Sequence, residues 1–184
     1  MRARHALIAL PLVLATACSS GTKPPTTALA PCTPKSFTSV GEALPDCTFE
    51  GYPGSPPLRL TELKGKPLVL NFWASWCIAC IREMPAFQRA FASLGGKVTF
   101  VGMNVIGLQG ETKTSGEGFA KRAGVRYLLA FDQDGLLYEH FSTRTLLPVT
   151  VFVGADLVVK QIHFGGPIGE QDLRADITKF LGVA

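Results

Sequence analysis

The chain has 184 residues, 47% of them hydrophobic and 17% charged, a balance that supports one core of ordinary domain size and excludes a mostly disordered chain. Lys and Arg number 18 against 14 Asp and Glu, a net charge of +4. Arg2 and Arg4 lie in a segment expected to be removed, which leaves the rest near neutral, and no run of basic residues follows. That excludes an electrostatic case for nucleic-acid binding.

Residues 1–5 carry both of those arginines, and residues 6–17 form an apolar run broken only by Pro11 and Thr16. A charged start, a short apolar stretch and small residues after it describe a secretory signal. A helix that crosses a bilayer needs about 20 apolar residues, and this run is shorter. Leu14-Ala15-Thr16-Ala17-Cys18 resembles the bacterial lipobox, with Ala15 where leucine is usual. The resemblance implies cleavage after Ala17 and a lipid on Cys18. Residues 18–45 are rich in Ser, Thr, Pro and Gly, bury little apolar area, and are expected to form an extended tether. The expected organisation is a signal at 1–17, a tether at 18–45 and one domain at 46–184.

Residues 67–73 form a nearly continuous apolar run after Lys64-Gly65-Lys66, the pattern of a strand buried on both faces. Residues 77–94 have helical spacing, with Ile78, Ile81, Met84, Phe87 and Phe91 expected inward and a kink expected at Pro85. Strands are expected at 97–103 and 127–131, with a helix at 116–123 between them. Residues 106–118 are glycine-rich and weakly patterned, and the sequence assigns them no role. Pro148 introduces a β-branched strand at 149–153, paired as a hairpin with 157–162 across Gly154-Ala155-Asp156. An amphipathic helix at 170–181 places Leu173, Ile177, Phe180 and Leu181 inward. This order predicts an α/β fold, a mixed sheet flanked by helices and covered on both faces.

Trp76-Cys77-Ile78-Ala79-Cys80 carries the chemistry. The motif follows a buried strand and opens a helix, where positions three apart share a face and a disulfide can close. At the helix start, the dipole and unpaired backbone donors stabilise a thiolate, which makes Cys77 the attacking group and Cys80 the resolving one. Exchange then runs through a mixed disulfide at Cys77 that Cys80 displaces. Half of a zinc site is the structural alternative. Zinc wants two close pairs, and the other cysteines past the signal, Cys32 and Cys47, have fourteen residues between them. No metal and no separate cofactor are expected; the Cys77–Cys80 disulfide is itself the reactive group.

The run from Gly65 through Trp73-Ala74-Ser75-Trp76-Cys77, with Cys80-Ile81-Arg82-Glu83-Met84-Pro85, closely resembles the TlpA/ResA/DsbE-like branch of the thioredoxin superfamily. The resemblance covers the chain from about residue 46 onward. It implies a thioredoxin fold and a membrane-tethered redox protein outside the bacterial cytoplasm, exchanging with thiols or disulfides of substrate proteins and with a membrane redox partner. Many such proteins reduce disulfides for cytochrome c maturation, and some instead oxidise secreted proteins. By the same resemblance Glu83 matches an acidic position able to relay a proton to or from Cys80, an early-helix glutamate favoured by the dipole being the alternative. Pro148 matches a cis-proline facing the redox pair, and Leu147 before it offers backbone to the substrate. Asn71 stands where thioredoxin has a buried Asp, so acid–base work there is absent or moved to Glu83. Ala79 replaces a common proline, which leaves the direction of electron flow open.

Trp76 adjoins the nucleophile and is expected to touch substrate, with Ile78 and Leu147 completing an apolar collar; Trp73 is expected in the core. A thiol peroxidase of this fold needs a Thr three residues before its cysteine, where Ala74 stands. An adaptor without redox activity has no need of both cysteines. Asp132-Gln133-Asp134-Gly135 is read as a turn rather than a calcium loop, because Thr143 occupies the position of the bidentate Glu. Gly165-Gly166-Pro167-Ile168-Gly169 is read as the connection to the last helix, not a dinucleotide loop. Cys32 and Cys47 are expected to pair as a structural disulfide after export to an oxidising compartment. A buried lone Cys47 with an exposed Cys32, or a relay pair feeding Cys77, are the alternatives.

Overall fold

The structure is a computed structural model that describes Cys32, residues 37–142 and residues 145–184. Cys18, the expected signal and most of the expected tether lie outside the described residues.

The apolar run becomes β3 (Leu68–Trp73), buried along its whole length and central in the sheet. It is flanked by β4 (Thr99–Val105), parallel to it, and β6 (Val149–Val153), antiparallel. Beyond β4 lie β5 (Leu128–Asp132), β1 (Thr48–Gly51) and β2 (Leu58–Arg59). Beyond β6 lies β7 (Val159–Phe164). The seven-stranded order is β2-β1-β5-β4-β3-β6-β7. The crossovers β3–α1–β4 and β4–α2–β5, through α1 (Ile78–Leu94) and α2 (Lys113–Ala123), step in the same direction across the sheet. Right-handed crossovers therefore put both helices on one face. The last helix, α3 (Glu170–Leu181), packs against α1.

Alternation along β3 divides the core. Val69 and Trp73 face the helices with Met84, Phe87, Phe119 and Ile177. Leu68, Leu70 and Phe72 face the other side with Leu60, Val101, Leu137 and Phe141. This is the thioredoxin-type mixed sheet expected from the sequence.

Four expectations shift. The helical face of α1 is rotated, because Cys77 caps the helix and Cys80 turns inward. The buried stripe runs through Cys80, Glu83, Met84, Phe87, Ala90 and Leu94, while Ile78 and Ile81 are 66% and 39% exposed. Pro85 removes one backbone donor, yet α1 continues through it. Helix α2 starts three residues earlier than expected, because Thr112 and Ser115 form a reciprocal capping box. The expected tether is also too long. Residues 38–44 dock on the domain: Gly41 N donates to Val159 O at 2.8 Å, Val159 N to Glu42 O at 2.8 Å and Leu44 N to Leu157 O at 2.9 Å. They cover the start of β7, an edge strand whose backbone groups would otherwise be unpaired.

Candidate functional site

β3 ends at Trp73, and the loop Ala74-Ser75-Trp76 delivers Cys77 to the start of α1. Cys77 has extended backbone angles and is the N-cap; its Sγ accepts from Cys80 N at 3.1 Å. One of the helix's orphan donors is thereby spent on sulfur rather than water. The Cys77–Cys80 disulfide is closed, with Cα atoms 5.2 Å apart. Cys80 is fully buried, and Cys77 keeps 5% of its surface. Trp76 is exposed and anchored by Nε1 donating to Leu108 O at 3.1 Å. Trp73 is fully buried, its ring 5.6 Å from that of Phe119.

The β3–β6 register ends at Phe72 and Val149, which brings Pro148 alongside the chain leaving β3 for Cys77. The Leu147–Pro148 peptide is cis. Pro148 is buried, with its carbonyl accepting from Gly165 N at 2.8 Å, and Leu147 is half-buried against both halves of the core.

Glu83 lies one turn beyond Cys80 and is 1% exposed. Its Oε1 accepts from Asn71 Nδ2 at 2.8 Å and its Oε2 from Ile168 N at 3.1 Å. Burial pushes its carboxyl up to about 7, against the opposing pull of the Ile168 N–H and the Asn71 amide. The carboxyl is thus poised to gain or lose a proton near neutral pH one helical turn from Cys80. The Gly165–Gly169 connection, read in the sequence only as a linker, supplies the Ile168 donor.

The 106–118 stretch, unassigned in the sequence, also reaches the site. Glu111 is 2% exposed; its Oε2 accepts from Ser75 N at 3.0 Å and from Ser75 Oγ at 2.7 Å. The Asp132 turn lies elsewhere, at the end of β5, where the carboxylate accepts from Leu137 N at 2.9 Å and Tyr138 N at 2.8 Å. Among the described residues, no three His, Cys, Asp or Glu side chains are grouped to hold a metal. Cys32 and Cys47 are joined by a disulfide, Cα atoms 4.9 Å apart, both buried under the sheet face opposite the helices.

Residues 40–162 match the AhpC/TSA family. The thiol–disulfide oxidoreductase ResA of Geobacillus kaustophilus is 32% identical over 134 residues, covering 72% of this chain and 74% of that protein. ResA of Bacillus subtilis is 29% identical over 132 residues, covering 71% and 70%. Among solved structures, a DsbF homologue from Corynebacterium diphtheriae superposes with a TM-score of 0.64 at 26% identity, covering 80% of this chain and 93% of that one. A secreted Mycobacterium tuberculosis disulfide oxidoreductase shares the fold with a TM-score of 0.64 at 24% identity, covering 73% and 96%. With a CxxC pair at the helix start of a thioredoxin-type sheet, the chain belongs to the AhpC/TSA family and is a thiol–disulfide oxidoreductase of the ResA type.

Proposed function

We propose that the protein works outside the cytoplasm, held to the membrane by a lipid on Cys18, and reduces disulfides of partner proteins, apocytochrome c among them. Cys77 thiolate attacks a substrate sulfur, a mixed disulfide forms, and one substrate thiolate leaves. Cys80 then attacks the Cys77 sulfur, the second substrate thiolate leaves, and the Cys77–Cys80 disulfide forms. Two electrons pass to the substrate, and a membrane dithiol partner returns them.

The observation that supports thiol exchange at this pair is the buried Glu83 carboxyl one turn from Cys80, and the reduction potential below decides its direction. Resolving the mixed disulfide removes the Cys80 proton and the reverse reaction returns it, and a buried carboxyl near 7 suits either transfer. Trp76, Leu147 and Pro148 form the surface that meets the substrate around Cys77. The export-like N-terminus and the lipobox-like Leu14–Cys18 run support the location.

Three measurements test the reading. Cys80→Ala should accumulate mixed disulfides on a non-reducing gel and Cys77→Ala none; the reverse pattern removes Cys77 as nucleophile. The reduction potential of the couple should lie near about −270 mV, as in thioredoxin, and a value near about −120 mV would make the protein an oxidant of secreted chains instead. Membrane fractionation of Cys18→Ala tests the anchor: a variant that stays membrane-bound rules out tethering through this residue.

A further inference from the structure

A second buried carboxylate, Glu111, contacts the loop that leads to the redox pair. Glu111 closes the loop between β4 and α2, with Gly107 N donating to its carbonyl at 2.9 Å. Both of its carboxylate oxygens are used. Oε2 takes the two donors of Ser75, and Oε1 takes Asn104 Nδ2 at 2.9 Å. Asn104 is fixed in turn, its Oδ1 accepting from the Tyr52 hydroxyl at 3.2 Å. These partners are neutral. A buried anion without a cation is costly, and donors on both oxygens are what offset that cost. An acceptor-only group suits the position, because every neighbour that reaches it donates.

The same loop grips the next residue as well, since Leu108 O takes the Trp76 indole. Its path requires left-handed backbone at Gly107 (φ 86°), Gln109 (φ 48°) and Gly110 (φ 82°). Gln109 holds such a conformation only because its surroundings over-determine it. Two consecutive residues ahead of Cys77 are therefore clamped from one loop.

We propose that Glu111 is a positioning residue for thiol exchange: by holding Ser75 it keeps Cys77 at the N-cap of α1. The N-cap position is what gives Cys77 Sγ the Cys80 N–H at 3.1 Å, and with it a stabilised thiolate. Releasing Ser75 lets the loop sample arrangements in which that bond is lost. The inference rests on Cys77 as the attacking thiol.

The test measures alkylation of Cys77 by iodoacetamide against pH in a Cys80→Ser background. Cys32 and Cys47 stay oxidised there and contribute no thiol. The parental background should titrate well below the ordinary thiol value of about 8.5. A parental midpoint at that ordinary value would overturn the attacking role of Cys77 and this inference with it. Adding Glu111→Ala should move the midpoint up by about one pH unit and slow alkylation at pH 7 about tenfold.

Loss of a nearby negative charge alone would move the midpoint down, so the sign separates positioning from charge. Glu111→Gln should stay within about threefold of parent. Its amide oxygen can still accept from both Ser75 donors, the contact that positions Cys77, and only the Asn104 bond is lost. A downward shift, no shift, or a Gln variant as impaired as Ala overturns the proposal. Should Glu111→Ala fail to fold by circular dichroism, Ser75→Ala decides. It deletes one of the two Ser75 donors and should shift the midpoint in the same upward direction; an unchanged midpoint overturns the inference.

Discussion

Asn71 on β3 donates its amide to the Glu83 carboxylate on α1 at 2.8 Å and to Thr150 Oγ1 on β6 at 3.1 Å. One amide thus ties the central strand to the catalytic helix and to the strand that follows Pro148. Its own oxygen has no partner among the described residues. A neutral Glu83 would need an acceptor for its proton, and an amide that can turn over supplies one.

The pair predicts a specific pH signature in catalysis. Exchange through Cys80 should show a limb near pH 7 that Glu83→Gln abolishes without unfolding the domain. Asn71→Ala deletes one of the bonds that favour the charged carboxylate, so the limb should move up by about one pH unit. Rapid-mixing rates across pH 5–9 measure both. Profiles that match the parent would remove Glu83 and Asn71 from the mechanism.

Stability should fall as pH rises toward neutrality. Burial raises Glu83 from 4.5 to about 7 and Asp132 from 3.8 to about 7. Below about pH 4 these carboxyls are protonated in both folded and unfolded chains, and they contribute no pH dependence. Between there and about 7 the unfolded chain releases protons that the folded one retains, so unfolding becomes easier with each step up. Above about 7 the cost is complete, on the order of 3 kcal/mol for Glu83 and on the order of 4 kcal/mol for Asp132. Denaturant unfolding at pH 5 and pH 8 measures the difference. Glu83→Gln and Asp132→Asn should each remove a share of it, and a parent equally stable at both values would contradict the shifted carboxyls.

The redox pair was legible in the sequence because its context is local. A strand buried on both faces runs straight into a cysteine that opens a helix, and the whole unit fits within residues 67–94. Glu111 was not legible because its meaning depends on Ser75, 36 residues earlier, and on an amide turned toward it from β4. Its loop has no hydrophobic period and runs through left-handed positions, so no pattern marks it. The phase of α1 was misjudged for a similar reason: Ile78 and Ile81 satisfy helical spacing, but the cysteine cap, not apolarity, decides which side turns in. Residues 38–44 read as tether because their composition is polar, and only the open edge of β7 gives them a place to dock.

Gly116 should not tolerate alanine. A Cβ there would fall on the Asn104 amide oxygen and 2.8 Å from the Tyr52 hydroxyl. Helix propensity alone favours alanine by about 1 kcal/mol in the interior of α2. Overpacking of this kind typically costs about 1–3 kcal/mol, and here it also pushes apart a buried hydrogen bond, so the steric term wins. Gly116→Ala should lower stability in denaturant unfolding, and Gly118→Ala, whose nearest neighbour is the mobile end of Arg122 at 3.3 Å, should not. A stabilised Gly116→Ala would show that the Tyr52–Asn104 contact gives way freely.

The Cys32–Cys47 disulfide should act as a structural staple that leaves the redox chemistry alone. Both sulfurs lie beneath the sheet face opposite the helices, with residues 4% and 1% exposed, whereas Cys77 sits on the helix side. Cys47 runs into β1 rather than into a helix, so it lacks the donors that make a thiol attack readily. A relay to Cys77 would have to pass through the sheet. The bridge spans a sequence separation of 15, a loop for which chain-entropy estimates give about 3 kcal/mol. The paired variant Cys32→Ala/Cys47→Ala should lose about that much stability while its Cys77–Cys80 reduction potential stays at the parental value. Peptide mapping of the protein isolated from its host under mild reductant should recover Cys32 still linked to Cys47 after Cys77–Cys80 has opened. Free Cys32 and Cys47 in the isolated protein would end the staple, and a potential that moves with the paired variant would revive the relay.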